Sequence, residues 1–114
     1  MQGNKDEWSL THGNLESLYL TAISLEGNIA PSLGNLSALK WLDLSDNSLT
    51  GDIPKKLSHL KRLQILQLSG NNLNGSIHPS IYNTLSFSYL DASHNSVVGR
   101  IPPEIGKLVN LRYL

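Results

Sequence analysis

One stretch, LKWLDLSDNSLTGDIPKKLSHLKR at residues 39–62, returns along the chain every 24 residues with its apolar and turn residues in the same order. In it Leu39, Leu42, Leu44, Leu49, Ile53, Leu57 and Leu60 carry the apolar pattern, while Asn47, Gly51 and Pro54 punctuate it. In register, the units are 15–38, 39–62, 63–86 and 87–110, with a fifth begun at 111–114. A fixed period of this length argues against a fold around one central core, because each unit is a supersecondary element that buries its apolar face by stacking on its neighbours. Each unit offers about seven inward apolar side chains, worth on the order of 1.5 to 3 kcal/mol apiece when buried. Ordering its backbone costs about 1 to 2 kcal/mol per residue. A single unit therefore cannot stand alone, and the stack is stable only as a stack.

The order L-x-x-L-x-L with Asn three residues on, at this period, reads as a leucine-rich repeat solenoid. The fuller string, L-x-x-L-x-L-x-x-N-x-L-x-G-x-I-P-x-x-L-G-x-L, resembles the plant-specific class of these repeats found in receptor-like kinases, receptor-like proteins and polygalacturonase-inhibiting proteins, and the resemblance covers residues 15–114. It implies a right-handed α/β-type solenoid with a parallel concave β-sheet and a convex side of extended and 3₁₀ pieces. Pro54 and Pro102 follow an isoleucine directly, and Pro31 and Pro79 fall one residue later, which suits short 3₁₀ turns better than α-helices. The glycine thirteenth in each unit (Gly27, Gly51, Gly75, Gly99) falls where the chain turns and backbone freedom is needed.

By the same resemblance, Asn47, Asn71 and Asn95 form a ladder of inward amides that bond backbone groups of adjacent rungs, tolerable inside only because they are satisfied. Ile23 replaces the first asparagine, at the end of the ladder, where its apolar side chain helps seal the stack. Thr84 stands at a leucine position and Leu85 follows it, so the third unit is expected to shift its loop and turn Leu85 inward. Residues 1–14 read as a degenerate cap. Extracellular members of the class open with C-x-W-x-G-V-x-C; here Trp8 matches the tryptophan, but Asp6 and Gly13 stand at the cysteine positions and Leu10-Thr11 at Gly-Val. With no cysteine in the chain, disulfides say nothing of its compartment. The strand begun at 111–114 is an open edge, prone to self-association, and the expectation is a piece of a longer receptor-like protein.

Nine basic and nine acidic residues balance to a formal charge of zero, which argues against nucleic-acid or membrane-surface binding. There is no apolar run long enough to span a membrane, and MQGNKDEWSL lacks the apolar core of a signal peptide. The resemblance implies a cell-surface or extracellular setting for the full-length relative.

By strand alternation the residues between the leucines point outward onto the concave face. Third in each unit come Ser17, Trp41, Ile65, Tyr89 and Tyr113; fifth come Tyr19, Asp43, Gln67 and Asp91; then Thr21, Ser45, Ser69 and Ser93, followed by Ala22, Asp46, Gly70 and His94. An aromatic and aliphatic lane beside an acidic one reads as a peptide or protein groove. Trp41 and Tyr89 are its anchors, and Asp43, Asp46 and Asp91 favour basic groups, with Tyr19, Ile65, Gln67 and His94 completing the surface. The partner is a protein or peptide, or another leucine-rich repeat receptor. The alternatives are an inhibitor of a microbial cell-wall hydrolase and a regulatory or inert receptor fragment.

Other chemistry is poorly supported. Asp43 and Asp91 lie two rungs apart, about 10 Å, near the separation of an inverting glycosidase pair, yet on an open sheet that offers nothing to raise a pKa. His12, His59, His78 and His94 share no metal-ligand spacing, and no cofactor motif occurs. Gly99–Lys107 imitates a phosphate loop, but with six residues before Gly106-Lys107 and Leu108 in place of Ser or Thr it does not match one. Lys55, Lys56, His59, Lys61 and Arg62 cluster on the convex side as a solvated basic face. Asn35 and Asn74 head N-x-S sequons at exposed positions and are glycosylation acceptors if the chain is secreted.

Overall fold

The computed structural model describes residues 14–83 and 89–97. Each rung contributes two short strands, and each of the first three also a 3₁₀ turn on the convex side. The strands are β1 Ser17–Tyr19, β2 Glu26–Asn28, β3 Trp41–Asp43, β4 Ser48–Gly51, β5 Ile65–Gln67, β6 Asn72–Gly75, β7 Tyr89–Asp91 and β8 Ser96–Val97. They sort into two parallel sheets, β1-β3-β5-β7 and β2-β4-β6-β8. The architecture is the leucine-rich repeat solenoid anticipated from the period.

In the first sheet, equivalent positions pair directly: Ser17 with Trp41, Trp41 with Ile65, and Ile65 with Tyr89, an offset of 24 at every step. Backbone bonds prolong this pairing past the strands, from Leu20 N to Asp43 O (2.8 Å), Leu44 N to Gln67 O (2.9 Å) and Leu68 N to Asp91 O (2.8 Å). The second sheet goes beyond the extended convex pieces expected from sequence. Its Cα partners are offset by 22, as in Glu26 with Ser48 and Asn74 with Ser96, so its strands pair on a slant. Leu49 in β4 and Leu73 in β6 are fully buried, as is Leu25 just before β2, which explains why polar strands such as Asn72–Gly75 form at all. β4 and β6 each hang one leucine into the core and leave the residues around it exposed or half-exposed.

The core is a column of repeated leucines. Leu42, Leu66 and Leu90 are all 0% exposed, as are Leu44 and Leu68, with Ala92 in the equivalent place on the fourth rung. Leu15, Leu18 and Leu20 of the first rung pack against this column but are only partly buried. The convex turns Pro31–Asn35, Lys55–His59 and Pro79–Asn83 close the other wall. Leu33, Leu57 and Ile81 point inward from them. Adjacent turns approach so closely that a Cβ on Gly34 would overlap the Lys56 carbonyl oxygen, which is why only glycine fits there.

Between strand and side sheet the chain reverses through left-handed backbone. Ala22, Asp46, Gly70 and His94, equivalent in the four units, have φ of 55°, 57°, 70° and 56°. Gly27, Gly51 and Gly75 turn the chain a second time at φ of 76° to 80°. The first reversal was not foreseen, because three of its four residues are not glycine, and a side chain there costs about 1 kcal/mol or more.

Asparagine amides hold this reversal in place. Asn47 Nδ2 donates to the carbonyls of Leu20 (2.9 Å), Leu44 (2.9 Å) and Ser45 (3.1 Å), while its Oδ1 accepts from Ile23 N and Leu25 N, both at 3.0 Å. Asn71 Nδ2 donates to Leu44, Leu68 and Ser69, and its Oδ1 accepts from Leu49 N. Asn95 bonds Leu68, Ala92 and Ser93 and accepts from Leu73 N. Ile23 lies at the end of this series, its N–H used by Asn47 and its side chain 37% exposed. The cap before Asn14, the Thr84-Leu85 irregularity, Gly99, Pro102, Gly106-Lys107 and the final strand lie outside the described residues.

The ladder is testable. Asn71→Ala strands the Leu49 N–H and takes one of two donors from each of the Leu44, Leu68 and Ser69 carbonyls, and is expected to cost about 1 to 3 kcal/mol, whereas Ser69→Ala, a half-buried neighbour, stays within about 0.5 kcal/mol. Urea midpoints of the two variants measure the difference, and equal losses would contradict a structural role for the amide.

Candidate functional site

The concave sheet places the third residue of each repeat in a straight lane, Ser17, Trp41, Ile65 and Tyr89, with neighbours about 4.8 Å apart. The fifth residues, Tyr19, Asp43, Gln67 and Asp91, form a parallel lane. Leucines point inward between the lanes and fix both by the two-residue alternation. A one-residue slip of register would turn these leucines out to solvent.

Five of the singled-out residues converge. Trp41, Asp43, Ile65, Gln67 and Tyr89 line one shallow cleft of about 290 Å³. Tyr19 sits beside it, its ring centroid 5.5 Å from that of Trp41 at an interplanar angle of 59°. That tilted contact braces the indole, an arrangement worth about 0.5 to 1.5 kcal/mol beyond the area it buries. Both rings remain in contact with solvent, Tyr19 at 55% and Trp41 at 38% exposure. Large apolar side chains left open on a rigid sheet are the usual raw material of a binding surface.

The acidic lane is less available than its positions imply. Asp43 Oδ1 accepts from both Ser45 N (3.0 Å) and Ser45 Oγ (2.6 Å). Asp91 repeats the arrangement with Ser93, at 3.0 and 2.5 Å. Asp91 is buried and Asp43 half-buried, and Ser45 and Ser93 are buried too. In each case one carboxylate oxygen closes the end of the strand. The seventh-position serines are thus supports for the lane above rather than part of the concave surface. The D-x-S spacing in Asp43-Leu44-Ser45 and Asp91-Ala92-Ser93 was the signal for this, and Gln67-Leu68-Ser69 lacks the acid. Asp46 and His94 are exposed, carried outward by the left-handed turn at the rim of the sheet.

Asp43 lines the cleft and Asp91 does not, so the two carboxylates do not share an enclosed site. Among the described residues no three His, Cys, Asp or Glu side chains group as a metal site, and no helix is long and apolar enough to cross a membrane. His78 is engaged locally, with Nδ1 2.8 Å from Ser80 Oγ and accepting from Ser80 N. His59 is exposed on the convex side with Lys55, Lys56, Lys61 and Arg62. The sequon asparagines Asn35 and Asn74 are exposed, one ending a 3₁₀ turn and the other within β6.

An apolar lane with hydrogen-bonding groups alongside is able to bury side chains of an extended chain on Trp41, Ile65 and Tyr89 while Asp43 and Gln67 bond its polar groups. The comparisons with known proteins agree with such a scaffold. Residues 13–73 match the leucine rich repeat family, and residues 86–108 match it again; the chain belongs to the leucine-rich repeat family. Its relatives are plant receptors. Over 41 residues, 36% of this chain and 4% of the relative, it is 54% identical to the leucine-rich repeat receptor-like serine/threonine-protein kinase RGI4 of Arabidopsis thaliana.

Among solved structures, the plant peptide hormone receptor RGFR1 in complex with RGF2 superposes with a TM-score of 0.85 at 42% identity, over 100% of this chain and 17% of that one. The Arabidopsis receptor kinase HAESA ectodomain, in complex with an N-terminally extended IDA peptide hormone, gives 0.80 at 39% identity, over 90% and 17%. The chain therefore spans about a sixth of either of these two structures.

Asp91→Ala removes the acceptor for two buried Ser93 groups and is expected to cost about 1 to 3 kcal/mol. Gln67→Ala, on the same lane but with no carboxylate to bond Ser69, is expected to stay within about 0.5 kcal/mol. Chemical denaturation distinguishes the two, and a neutral Asp91→Ala would rule out the strand-closing role of the carboxylate.

Proposed function

We propose that this chain is a segment of a plant receptor-like ectodomain whose concave sheet binds an extended peptide or protein segment without catalysis. The observation that carries this reading is the cleft formed by Trp41, Asp43, Ile65, Gln67 and Tyr89. Trp41, braced by Tyr19, and Tyr89 act as anchors on either side of Ile65. The free oxygen of Asp43 accepts from a donor of the ligand, and Asp46 with the rim of the sheet favours basic side chains over acidic ones. Asp91 and His94, outside the cleft on the same rung as Tyr89, contact the ligand only where it reaches beyond the cleft. The peptide hormones bound by the related ectodomains support a ligand of this kind.

Selection from a library of extended peptides displayed on phage tests the proposal. Peptides that bind are expected to lose about tenfold in affinity, roughly 1.4 kcal/mol, with Trp41→Ala or Tyr89→Ala, as central aromatic anchors do. Lys56→Ala on the far side should leave them unchanged. Binders indifferent to both aromatic substitutions would place the ligand surface elsewhere.

A further inference from the structure

A second cleft, of about 340 Å³, opens away from the concave sheet between the first two rungs. Ile29, Pro31 and Pro54 form an apolar floor, and Asn28, Asp52, Lys55 and Lys56 stand around it. Its volume lies at the small end of the range for ligand sites, about 300 to 1,000 Å³. The fold builds the rim in two ways. The Asn28 amide lies over Gly51, where a Cβ would overlap its Oδ1. Lys55 and Lys56 are presented by the 3₁₀ turn that follows Pro54. Among the described residues none of the four rim side chains has a hydrogen bond or an ion pair, and all four are exposed.

Charge gives the cleft a direction. Lys55 and Lys56 continue into His59, Lys61 and Arg62, while the flanking turns Pro31–Asn35 and Pro79–Asn83 contain no charged residue. In a chain of formal net charge zero this is a concentrated cationic edge.

The rim also discriminates among anions. The two ammonium groups only donate and call for an acidic group. The Asp52 carboxylate only accepts, so it repels a bare anion but welcomes one that brings hydroxyls to donate. Asn28 does both, and the Pro and Ile floor suits the C–H face of a ring. We propose that this cleft binds a hydroxyl-rich anion of mono- or disaccharide size, as a uronic-acid saccharide provides, with Lys55 and Lys56 on the acidic group and Asp52 and Asn28 on the hydroxyls. Inositol phosphates share this chemistry with a phosphate in place of the carboxylate.

The test is an amide-detected NMR titration of the whole chain with digalacturonate, cellobiose, inositol hexakisphosphate and inorganic phosphate. Digalacturonate at millimolar concentration is expected to shift the amides of Asn28, Asp52, Lys55 and Lys56 and to leave Trp41 and Tyr89 unmoved. The double variant Lys55→Ala with Lys56→Ala, its fold checked by circular dichroism, should weaken binding by about tenfold, and Asp52→Ala should weaken it as well. Tighter binding of inositol hexakisphosphate at the same residues would uphold the site and assign it a phosphate. Equal binding of cellobiose would overturn the anionic requirement. Equal binding of inorganic phosphate, unaffected by Asp52→Ala, would overturn the hydroxyl requirement. No shift at these residues with any of the four would overturn the site.

Discussion

The side-chain amide of one asparagine on each rung after the first is the interaction on which the solenoid depends. Where the strand ends the chain must reverse sharply, and the reversal leaves carbonyls and N–H groups pointing into an interior without water. An unsatisfied group there is expensive. Asn47, Asn71 and Asn95 supply the missing partners, each with three donations and at least one acceptance. The series is continuous, because Leu44 O accepts from both Asn47 and Asn71 and Leu68 O from both Asn71 and Asn95. Stacking and turning are thus fixed by the same bonds, and a rung cannot loosen without disturbing its neighbour.

That constraint divides the labour between faces. Inside, apolar side chains at equivalent positions, mostly leucine, and one amide on each rung after the first leave little freedom. Outside, the same backbone accepts Trp, Ile, Gln, Tyr or Asp at equivalent places, since their side chains stand outside the leucine column. Two clefts of different character result on one small scaffold. The concave one, with Trp41, Ile65 and Tyr89, suits apolar side chains, and the flank one, with Asn28, Asp52, Lys55 and Lys56, suits polar hydroxyls and charge.

Much of the fold was legible in the sequence because it is written repeatedly. A leucine or asparagine that recurs every 24 residues states its role several times, and the outward lanes follow from strand alternation alone. What escaped was written once, or not by residue type. The left-handed turn at Ala22, Asp46, Gly70 and His94 shows no common residue, because its conformation is imposed by the ladder rather than chosen by the side chain. Partial burial of the acidic lane depends on a serine two residues on, a local pairing with no periodic signature. The second sheet was hidden because strands such as Ser48–Gly51 and Asn72–Gly75 have poor strand propensity and are held by one buried leucine each. The flank cleft joins residues of different repeat positions, so reading position by position could not assemble it.

The two sheets differ in register, and this has a consequence for what each can recognise. In the first, partners are offset by the repeat length, so a given repeat position lies beside itself on every rung. In the second, the offset is shorter by two residues, about 6.6 Å of strand, so Asn28 lies beside Thr50 and Thr50 beside Asn72. The first surface is ruled like a staff, with one line per repeat position, and a linear ligand crossing it can be read one rung at a time. The second is cut like a screw thread: along it, the identity of one position is always interpreted next to that of another.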